Sequence, residues 1–249
     1  MTLKDFFVKY PKVAVAFSGG VDSSYLLYVA KKYCTDVRAY FLKSAFQPQF
    51  ELNDAIRLAK ELEIKLQIVT ADVLSSNIVV NNPPDRCHHC KRLTFQAIRQ
   101  AASNDGFFVL IDGTNASDEF EKRPGMWAIS EFSVLSPLRE CDLTKADIRH
   151  FSKEAGLFTW DKPAYACLAT RVPFGERITE QKLQSTEAAE NFLFSLGLKN
   201  FRVRLLRGAA KIQVTSDQVK NIIENREIII NELRKYYTDV MLDLKTREQ

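Results

Sequence analysis

Apolar positions between residues 12 and 113 follow two rhythms in alternation. "KVAVAF" (12–17), "VRAYFL" (37–42), "KLQIVT" (65–70) and "FFVLIDG" (107–113) are short apolar runs, the kind that form strands covered on both faces. Residues 22–33, 51–62 and 90–102 carry helical spacing instead, and in the second of these Leu52, Ala55, Ile56, Ala59 and Leu62 share one face. The alternation predicts an α/β fold: a parallel sheet with helices on both faces and right-handed crossovers. Helical spacing returns over 144–155, with Thr144 placed as an N-cap and Gly156 just past the end.

The rhythm breaks at "TWDKPAYACLATRVPFGERIT" (159–179), which holds two prolines, one glycine and few periodic apolar residues. It reads as a functional linker. Beyond it the pattern predicts helix 180–196, strand 200–206, strand 210–215, helix 216–235 and strand 237–243. That α-β-β-α-β order predicts a small α+β C-terminal domain over 176–249, after a first domain over 1–175.

Composition agrees with this picture. A chain of 249 residues holds one large domain or a main domain with a small one, and 46% hydrophobic with 27% charged residues is a globular balance. No apolar run approaches the roughly 18–20 residues that span a bilayer. "MTLKDFFVKY" (1–10) lacks the apolar core of a secretion signal, so the expectation is a cytoplasmic protein with no membrane partner. A net charge of +4 suits a protein that handles phosphates and is too mild to point to nucleic acid.

The densest chemistry lies in "AVAFSGGVDSS" (14–24), where a predicted strand ends at Phe17 and a helix starts near Asp22. A helix N-terminus carries unpaired N–H groups and a partial positive charge, and glycine lets backbone close on an anion. Ser18, Gly19, Gly20, Val21, Ser23 and Ser24 therefore form a candidate phosphate site, with the hydroxyls as extra donors. Asp22 repels phosphate. It suits a helix cap or a ligand of a magnesium ion that bridges phosphates. The string lacks the G-x-x-x-x-G-K-[ST] pattern of a Walker A loop. It resembles the PP-loop of the N-type ATP pyrophosphatases. That resemblance implies an adenine nucleotide alpha hydrolase-like fold, ATP bound at this turn and cleavage between its α- and β-phosphates. A substrate oxygen is adenylated, and magnesium stabilises the departing charge. A second segment, "IDGTNASDEFEKRPG" (111–125), starts at the C-terminal end of a predicted strand, the edge where open α/β sheets bind ligands. Gly113 and Thr114 are placed to lie against nucleotide and Arg123 to meet phosphate; the plain alternative is a charged loop.

Five cysteines, an odd count without an export signal, argue against a disulfide framework. "DRCHHCK" (85–91) puts Cys87 and Cys90 about one turn apart at the start of a helix, and "PAYACLATR" (163–171) adds Cys167. Three readings stand: buried structural thiols, a zinc site completed by His88 or His89, or an iron–sulfur cluster or thiol redox centre. Three thiolates on a cubane 4Fe–4S cluster leave one iron without a protein ligand, an open corner able to carry an extra sulfide. Cys34 and Cys141 read as structural. His88 and His89 are expected on a helix surface, and no catalytic histidine is expected.

Taken in order, "SGGVDSS", "GTNASDEFEKRPG", "SPLRE", "DKPAYACLATRVPFGERIT" and "RVR" resemble the LarE family over nearly the whole chain. The "CLATR–PFGE–IT" block is more specific than the PP-loop, which many enzymes share. The resemblance implies an ATP-dependent sulfur transferase in nickel-pincer nucleotide cofactor synthesis. A carboxylate of a pyridinium dicarboxylate mononucleotide is adenylated with loss of pyrophosphate, sulfur is added, and AMP departs from a thiocarboxylate. It also implies Asp22 and Cys167 as catalytic residues, with Cys87, Cys90 and Cys167 as ligands of a 4Fe–4S cluster. The competing reading has Cys167 give up its own sulfur and become dehydroalanine.

Substrate-binding residues follow by position. Thr170 and Arg171 stand just after Cys167; Thr170 occupies a place where serine is expected and keeps the hydroxyl. Arg202 and Arg204 alternate on a predicted strand, share a face and suit the substrate's phosphate through bidentate contacts. Glu190, on the preceding helix, is placed to orient them or the substrate. The implied partners are a small nucleotide substrate, a sulfide donor and further copies of the chain in a hexamer. A tRNA thiolase is the rival, since it too pairs a PP-loop with cysteines, but it needs a broad basic surface or an RNA-binding domain. A PP-loop amidotransferase needs no thiols, and a nucleotide-gated redox sensor releases no pyrophosphate.

Overall fold

A computed structural model describes residues 1–118 and 127–247. The chain divides into two compact units, Met1–Val73 with Asp85–Lys162, and Leu74–Pro84 with Pro163 onward.

In the first unit, β1 (Lys12–Ala16), β2 (Asp36–Lys43), β3 (Leu66–Thr70) and β4 (Leu110–Asp112) form a parallel sheet in the order β3-β2-β1-β4. Lys12 pairs with Asp36, Ala14 with Leu110 and Ala39 with Leu66. Period-two alternation along β1 divides its side chains between two cores. Val13 and Val15 enter one, with Phe6 and Phe7 of α1 (Leu3–Lys9), Leu26 and Leu27 of α2 (Val21–Tyr33) and Leu58 of α3 (Gln49–Glu61). Ala14 enters the other, with Phe95 and Ile98 of α5 (Arg86–Asn104) and Ala128 of α6 (Trp127–Glu131). This is the α/β architecture that the alternation predicts. Each such Leu or Phe contributes about 1.5–3 kcal/mol relative to leaving it exposed, so covering both faces is strongly favoured. After α7 (Pro137–Glu140), α8 (Lys145–Glu154) starts as expected at Thr144. The Thr144 hydroxyl accepts from Asp147 N at 3.2 Å while the Asp147 carboxylate accepts from Thr144 N at 2.9 Å, a reciprocal capping box.

In the second unit, β5 (Arg202–Leu206) and β6 (Ala209–Gln213) form an antiparallel hairpin, and β7 (Val240–Leu242) pairs in parallel with β6. Arg207 and Gly208 make the turn with φ of 51° and 86°, the left-handed pair that suits a two-residue hairpin. Before it, α9 (Glu180–Ser195) packs on β5. The helix expected over 216–235 is divided into a 3-10 turn (Ser216–Gln218), α10 (Val219–Glu224) and α11 (Arg226–Leu233). The division falls at Asn225, whose side-chain amide donates to both the backbone and the side-chain oxygen of Asn221 at 2.9 Å. Such local bonds compete with regular helix. Leu74–Pro84, which includes α4 (Asn77–Val80), belongs to this unit because Ile178 N donates to Val80 O at 2.8 Å and Gly175 N to Asn82 O at 2.9 Å. Asn82 is fully buried with φ 56°, and its amide donates to the carbonyls of Val172 and Pro173 at 3.2 and 2.7 Å. Among the described residues no helix is long and apolar enough to cross a membrane.

Candidate functional site

Residues 17–20 turn the chain between β1 and α2, at the edge of the sheet where parallel strands end. Gly19 has φ 72°, and a Cβ there would sit 3.1 Å from Glu51 O and 3.5 Å from Ala55, so glycine keeps this turn close to α3. Gly20 holds the N-cap position without a side-chain cap, which leaves the first-turn N–H groups of α2 open. The Ser18 and Ser23 hydroxyls lie 3.0 Å apart, Ser18 N donates to Ser23 Oγ at 3.3 Å, and Ser23 Oγ donates to Gly20 O at 3.2 Å. Buried Val21 anchors the start of the helix.

Two polar atoms at this turn lack a partner among the described residues: the Ser24 hydroxyl, which is fully buried, and Asp22 Oδ1. An unpaired buried carboxylate oxygen is costly until a cation or donor reaches it. This donor chemistry fits a magnesium ion. The alternative expectation, Asp22 as helix cap, is corrected. Asp22 stands behind Gly20 as the second residue of α2, and its Oδ2 pairs with Lys145 Nζ at 2.5 Å.

The end of β4 closes on the same turn. A Cβ on Gly113 would lie 2.8 Å from Ser23 N and 3.1 Å from Ser23 Cα, backbone that cannot yield cheaply. Asp112, 7% exposed, accepts from Thr114 N at 3.2 Å and Ser136 Oγ at 2.8 Å on one oxygen, and from Thr114 Oγ1 at 2.7 Å on the other. The Thr114 hydroxyl is therefore engaged by protein. Arg123 lies outside the described residues. Lys162 Nζ donates to Gly19 O at 3.1 Å and to Asp54 Oδ2 at 2.6 Å. Asp54, Asp112, Lys145 and Lys162 are absent from the pattern-based reading. An acid that ends an apolar strand was the one local signal for Asp112. The lysine pairings join residues 123 and 143 positions apart, which no periodicity reveals.

In the second unit, Cys167 precedes a 3-10 turn, Leu168–Arg171. The fully buried Arg171 side chain makes a bidentate pair with Glu190, Nε to Oε1 at 2.8 Å and Nη2 to Oε2 at 3.0 Å. Its Nη1 donates to Ala166 O at 2.7 Å, Thr170 Oγ1 at 2.8 Å and Cys167 O at 3.3 Å. Burial opposes the charge, but the Glu190 hydrogen bond and charge outweigh it, so the Arg171 pKa is raised. Glu190 also accepts from Val203 N at 2.9 Å and from the Tyr165 hydroxyl. Arg202 donates to Ala164 O at 2.6 Å and Phe201 O at 2.7 Å, and Arg204 donates to Thr170 O at 3.0 Å and Gln213 Oε1 at 2.5 Å. The Arg171 and Arg202 guanidiniums lie 4.5 and 5.1 Å from the Tyr165 ring centre. Burial first, and then repulsion from Arg171 and Arg247, pushes the Arg202 pKa down to about 10. Arg204 is lowered for the same leading reasons, burial and Arg171. The cationic surplus around Glu190 makes this region receptive to an anion.

Comparison with known proteins places these features. A family model described as queuosine biosynthesis protein QueC matches residues 12–82. Pyridinium-3,5-bisthiocarboxylic acid mononucleotide synthase of Lactiplantibacillus plantarum is 33% identical over 236 residues, which cover 94% of this chain and 86% of the relative. The chain belongs to the LarE family. This LarE chain is also 32% identical over 234 residues to an uncharacterised protein of Methanocaldococcus jannaschii, covering 94% of the chain and 89% of the relative. The tRNA-specific 2-thiouridylase MnmA of Thermotoga petrophila is 27% identical over 188 residues, and the match covers 59% of the LarE chain but only 52% of MnmA. The parallel sheet of the LarE chain is that of a PP-loop ATPase.

The thiols of the LarE chain fall into two groups. Cys34 ends α2, its Sγ lies 3.8 Å from Tyr10 O, and burial, with Asp36, pushes its thiol up to about 12. Burial also raises Cys141. Cys87 and Cys90 lie on the first turns of α5 in one unit, and Cys167 belongs to the other. Arg86, buried at 2% exposure, directs Nη2 at Cys87 Sγ over 3.5 Å. Among the described residues no group of three or more His, Cys, Asp or Glu side chains is gathered as for a metal ion. The expectation of an iron–sulfur cluster on Cys87, Cys90 and Cys167 rests on thiolate donor chemistry alone. The expected surface position of His88 is corrected: its side chain is 13% exposed, Nε2 lies 3.3 Å from Glu131, and the Trp127 ring stands 5.7 Å away. The physical reason is that α6 packs on α5 and covers the imidazole.

Proposed function

We propose that this protein is an ATP-dependent sulfur transferase acting on a pyridinium mononucleotide in nickel-pincer nucleotide cofactor synthesis, and that it works in the cytoplasm. The turn at Ser18–Ser24 holds the triphosphate with backbone N–H groups and hydroxyls. A substrate carboxylate oxygen bonds to the α-phosphorus, the bond from phosphorus to the bridging oxygen breaks, and pyrophosphate leaves with the electron pair. A sulfur nucleophile attacks the acyl carbon, the bond to the AMP oxygen breaks, and a thiocarboxylate remains. Sulfur is a strong nucleophile and AMP a good leaving group, so little acid–base help is needed. Asp22 holds magnesium, which when bound neutralises charge on the departing pyrophosphate. Arg202 and Arg204 take the substrate's phosphate, while Arg171, Thr170 and Glu190 keep the Cys167 segment in place.

The observation that carries this reading is Asp22 Oδ1, without a partner among the described residues, beside the uncapped N-terminus of α2, in a chain of the LarE family. For the sulfur source we propose Cys87, Cys90 and Cys167 as ligands of a 4Fe–4S cluster, which when loaded supplies a labile sulfide. A sulfide donor that reloads it and a homo-hexameric assembly belong to the same proposal. A second reading is favoured by the pinned carbonyls around Cys167, which fix a single sulfur on a rigid segment. In that route Sγ bonds to the acyl carbon with loss of AMP. The Cβ–Sγ bond then breaks as the Cα proton leaves, and dehydroalanine remains.

The test is pyrophosphate release from ATP, magnesium and the pyridinium dicarboxylate mononucleotide, followed by the intact mass of the polypeptide. Release that stops in Asp22→Ala supports adenylation at the turn. An unchanged polypeptide mass after turnover, with iron in anaerobic preparations that Cys87→Ala abolishes, supports the cluster. Loss of the mass of hydrogen sulfide supports the second reading. A wild-type protein that releases no pyrophosphate overturns both.

A further inference from the structure

The glycine turn has an electrostatic deficit. Residues 18–24 hold one carboxylate and no cationic side chain. A helix N-terminus supplies only about half a positive charge. A Walker A loop solves the same problem with its own lysine, which this turn lacks. The cations that accept a triphosphate must therefore come from elsewhere in the fold.

Two lysines already hydrogen-bond to the turn. Lys145 Nζ lies 2.5 Å from Asp22 Oδ2. Its backbone is fixed at the start of α8, where Lys145 N donates to Ser117 Oγ at 3.0 Å directly after the Thr144 capping box. Lys162 Nζ reaches Gly19 O at 3.1 Å and Asp54 at 2.6 Å. Its backbone is fixed by Arg149, which donates to Trp160 O at 2.7 Å and Lys162 O at 2.9 Å. Both ammonium groups thus sit on preorganised roots at the end of the sheet where open α/β folds bind ligands. Their side chains retain 34% and 16% exposure, so ligand has access to them.

The geometry points to Lys145 and Lys162 as the phosphate-binding cations of this nucleotide site, each held in place by a carboxylate, Asp22 for the first and Asp54 for the second. The assignment rests on the reading of the turn as an ATP site. A partly exposed ion pair contributes only about 0–1 kcal/mol, so exchanging a carboxylate for phosphate costs little. A triphosphate that arrives with its own divalent cation gives Asp22 a new partner and leaves the Lys145 ammonium to phosphate oxygens.

The experiment is calorimetric binding of magnesium α,β-methylene-ATP, which cannot be cleaved at the reacting bond, to the full chain. Lys145→Met and Lys162→Met are each expected to weaken binding roughly tenfold to a hundredfold, the range for a charge-assisted hydrogen bond, while Lys162→Arg keeps most of the affinity. Adenosine, which has no phosphate, is expected to bind all variants alike. Asp54→Asn separates ligand from brace: a phosphate-binding Lys162 gives unchanged or tighter analogue binding, whereas a purely structural one gives a loss as large as in Lys162→Met. Wild-type affinity in both methionine variants, or that loss in Asp54→Asn, overturns the assignment. Failure of the wild type to bind the analogue overturns it together with the nucleotide reading. Binding of the analogue by a wild-type chain that, given ATP and the pyridinium substrate, releases no pyrophosphate and transfers no sulfur defeats only the transferase proposal.

Discussion

The turn after β1 and the segment around Cys167 are both irregular and rich in small residues, yet they are finished in opposite ways. At the turn, the helix N-terminus has no side-chain cap and Asp22 Oδ1 has no partner among the described residues. Around Cys167, guanidiniums from Arg171, Arg202 and Arg204 engage the carbonyls of Ala164, Ala166, Cys167 and Thr170. The difference teaches what each region is prepared for. Groups left unpaired at a helix start favour an arriving anion and its cation. Backbone acceptors already bound by arginine side chains remove freedom from the residue between them, which positions a sulfur in advance.

The comparison breaks most visibly at Glu190. Replacing it with alanine leaves Arg171 buried without its carboxylate, a change expected to cost about 3–5 kcal/mol. The readout is the denaturant midpoint, and an unchanged midpoint would mean that the arginines need no anchor. Gly113→Ala probes the other region with a smaller effect. The added methyl meets Ser23 backbone at 2.8 Å, so a loss of about 1–3 kcal/mol is expected. It should come with weaker binding of an ATP analogue and an unaltered alkylation rate at Cys167; strong binding in a destabilised variant would detach the turn from the nucleotide.

The smallest effect is acid sensitivity in the sheet that carries the arginines. Hydrogen bonds from Lys211 and Gln213 lower the Asp243 pKa from 3.8 to about 2. A carboxylate with a depressed folded pKa stabilises above its unfolded value and loses that contribution as pH falls from about 4 to 2. Gln213, which donates to Asp243 at 2.7 Å, also holds Arg204 at 2.5 Å. Thermal midpoints should therefore drop across that pH interval, and Asp243→Asn should flatten the drop. An identical acid profile in the variant would rule out this group as its source.

The sheet was legible because burial on two faces writes itself into sequence as apolar runs, and Thr144 with Asp147 wrote a helix start in the same local way. The glycine turn was legible for a related reason, since only glycine fits where Gly19 meets Glu51 O and Gly113 meets Ser23. Lys145 and Lys162 were not, because a lysine in sequence looks like any solvated charge until the fold brings it to Asp22 or Asp54. The bidentate Glu190 pair hid in the same way. Period-two spacing marks Arg202 and Arg204 as residues of one strand face, but it says nothing of the carbonyls that engage them. Asn225 was hidden by the opposite effect: its own side chain interrupts a pattern that reads as one continuous helix.

The excursion of Leu74–Pro84 into the second unit has a genetic consequence. The backbone changes unit at 73/74, at 84/85 and again at 162/163. A fragment that starts at Pro163 keeps the amides of Gly175 and Ile178 but forfeits their acceptors on Asn82 and Val80. Neither unit is therefore a cassette that a single recombination event can transplant.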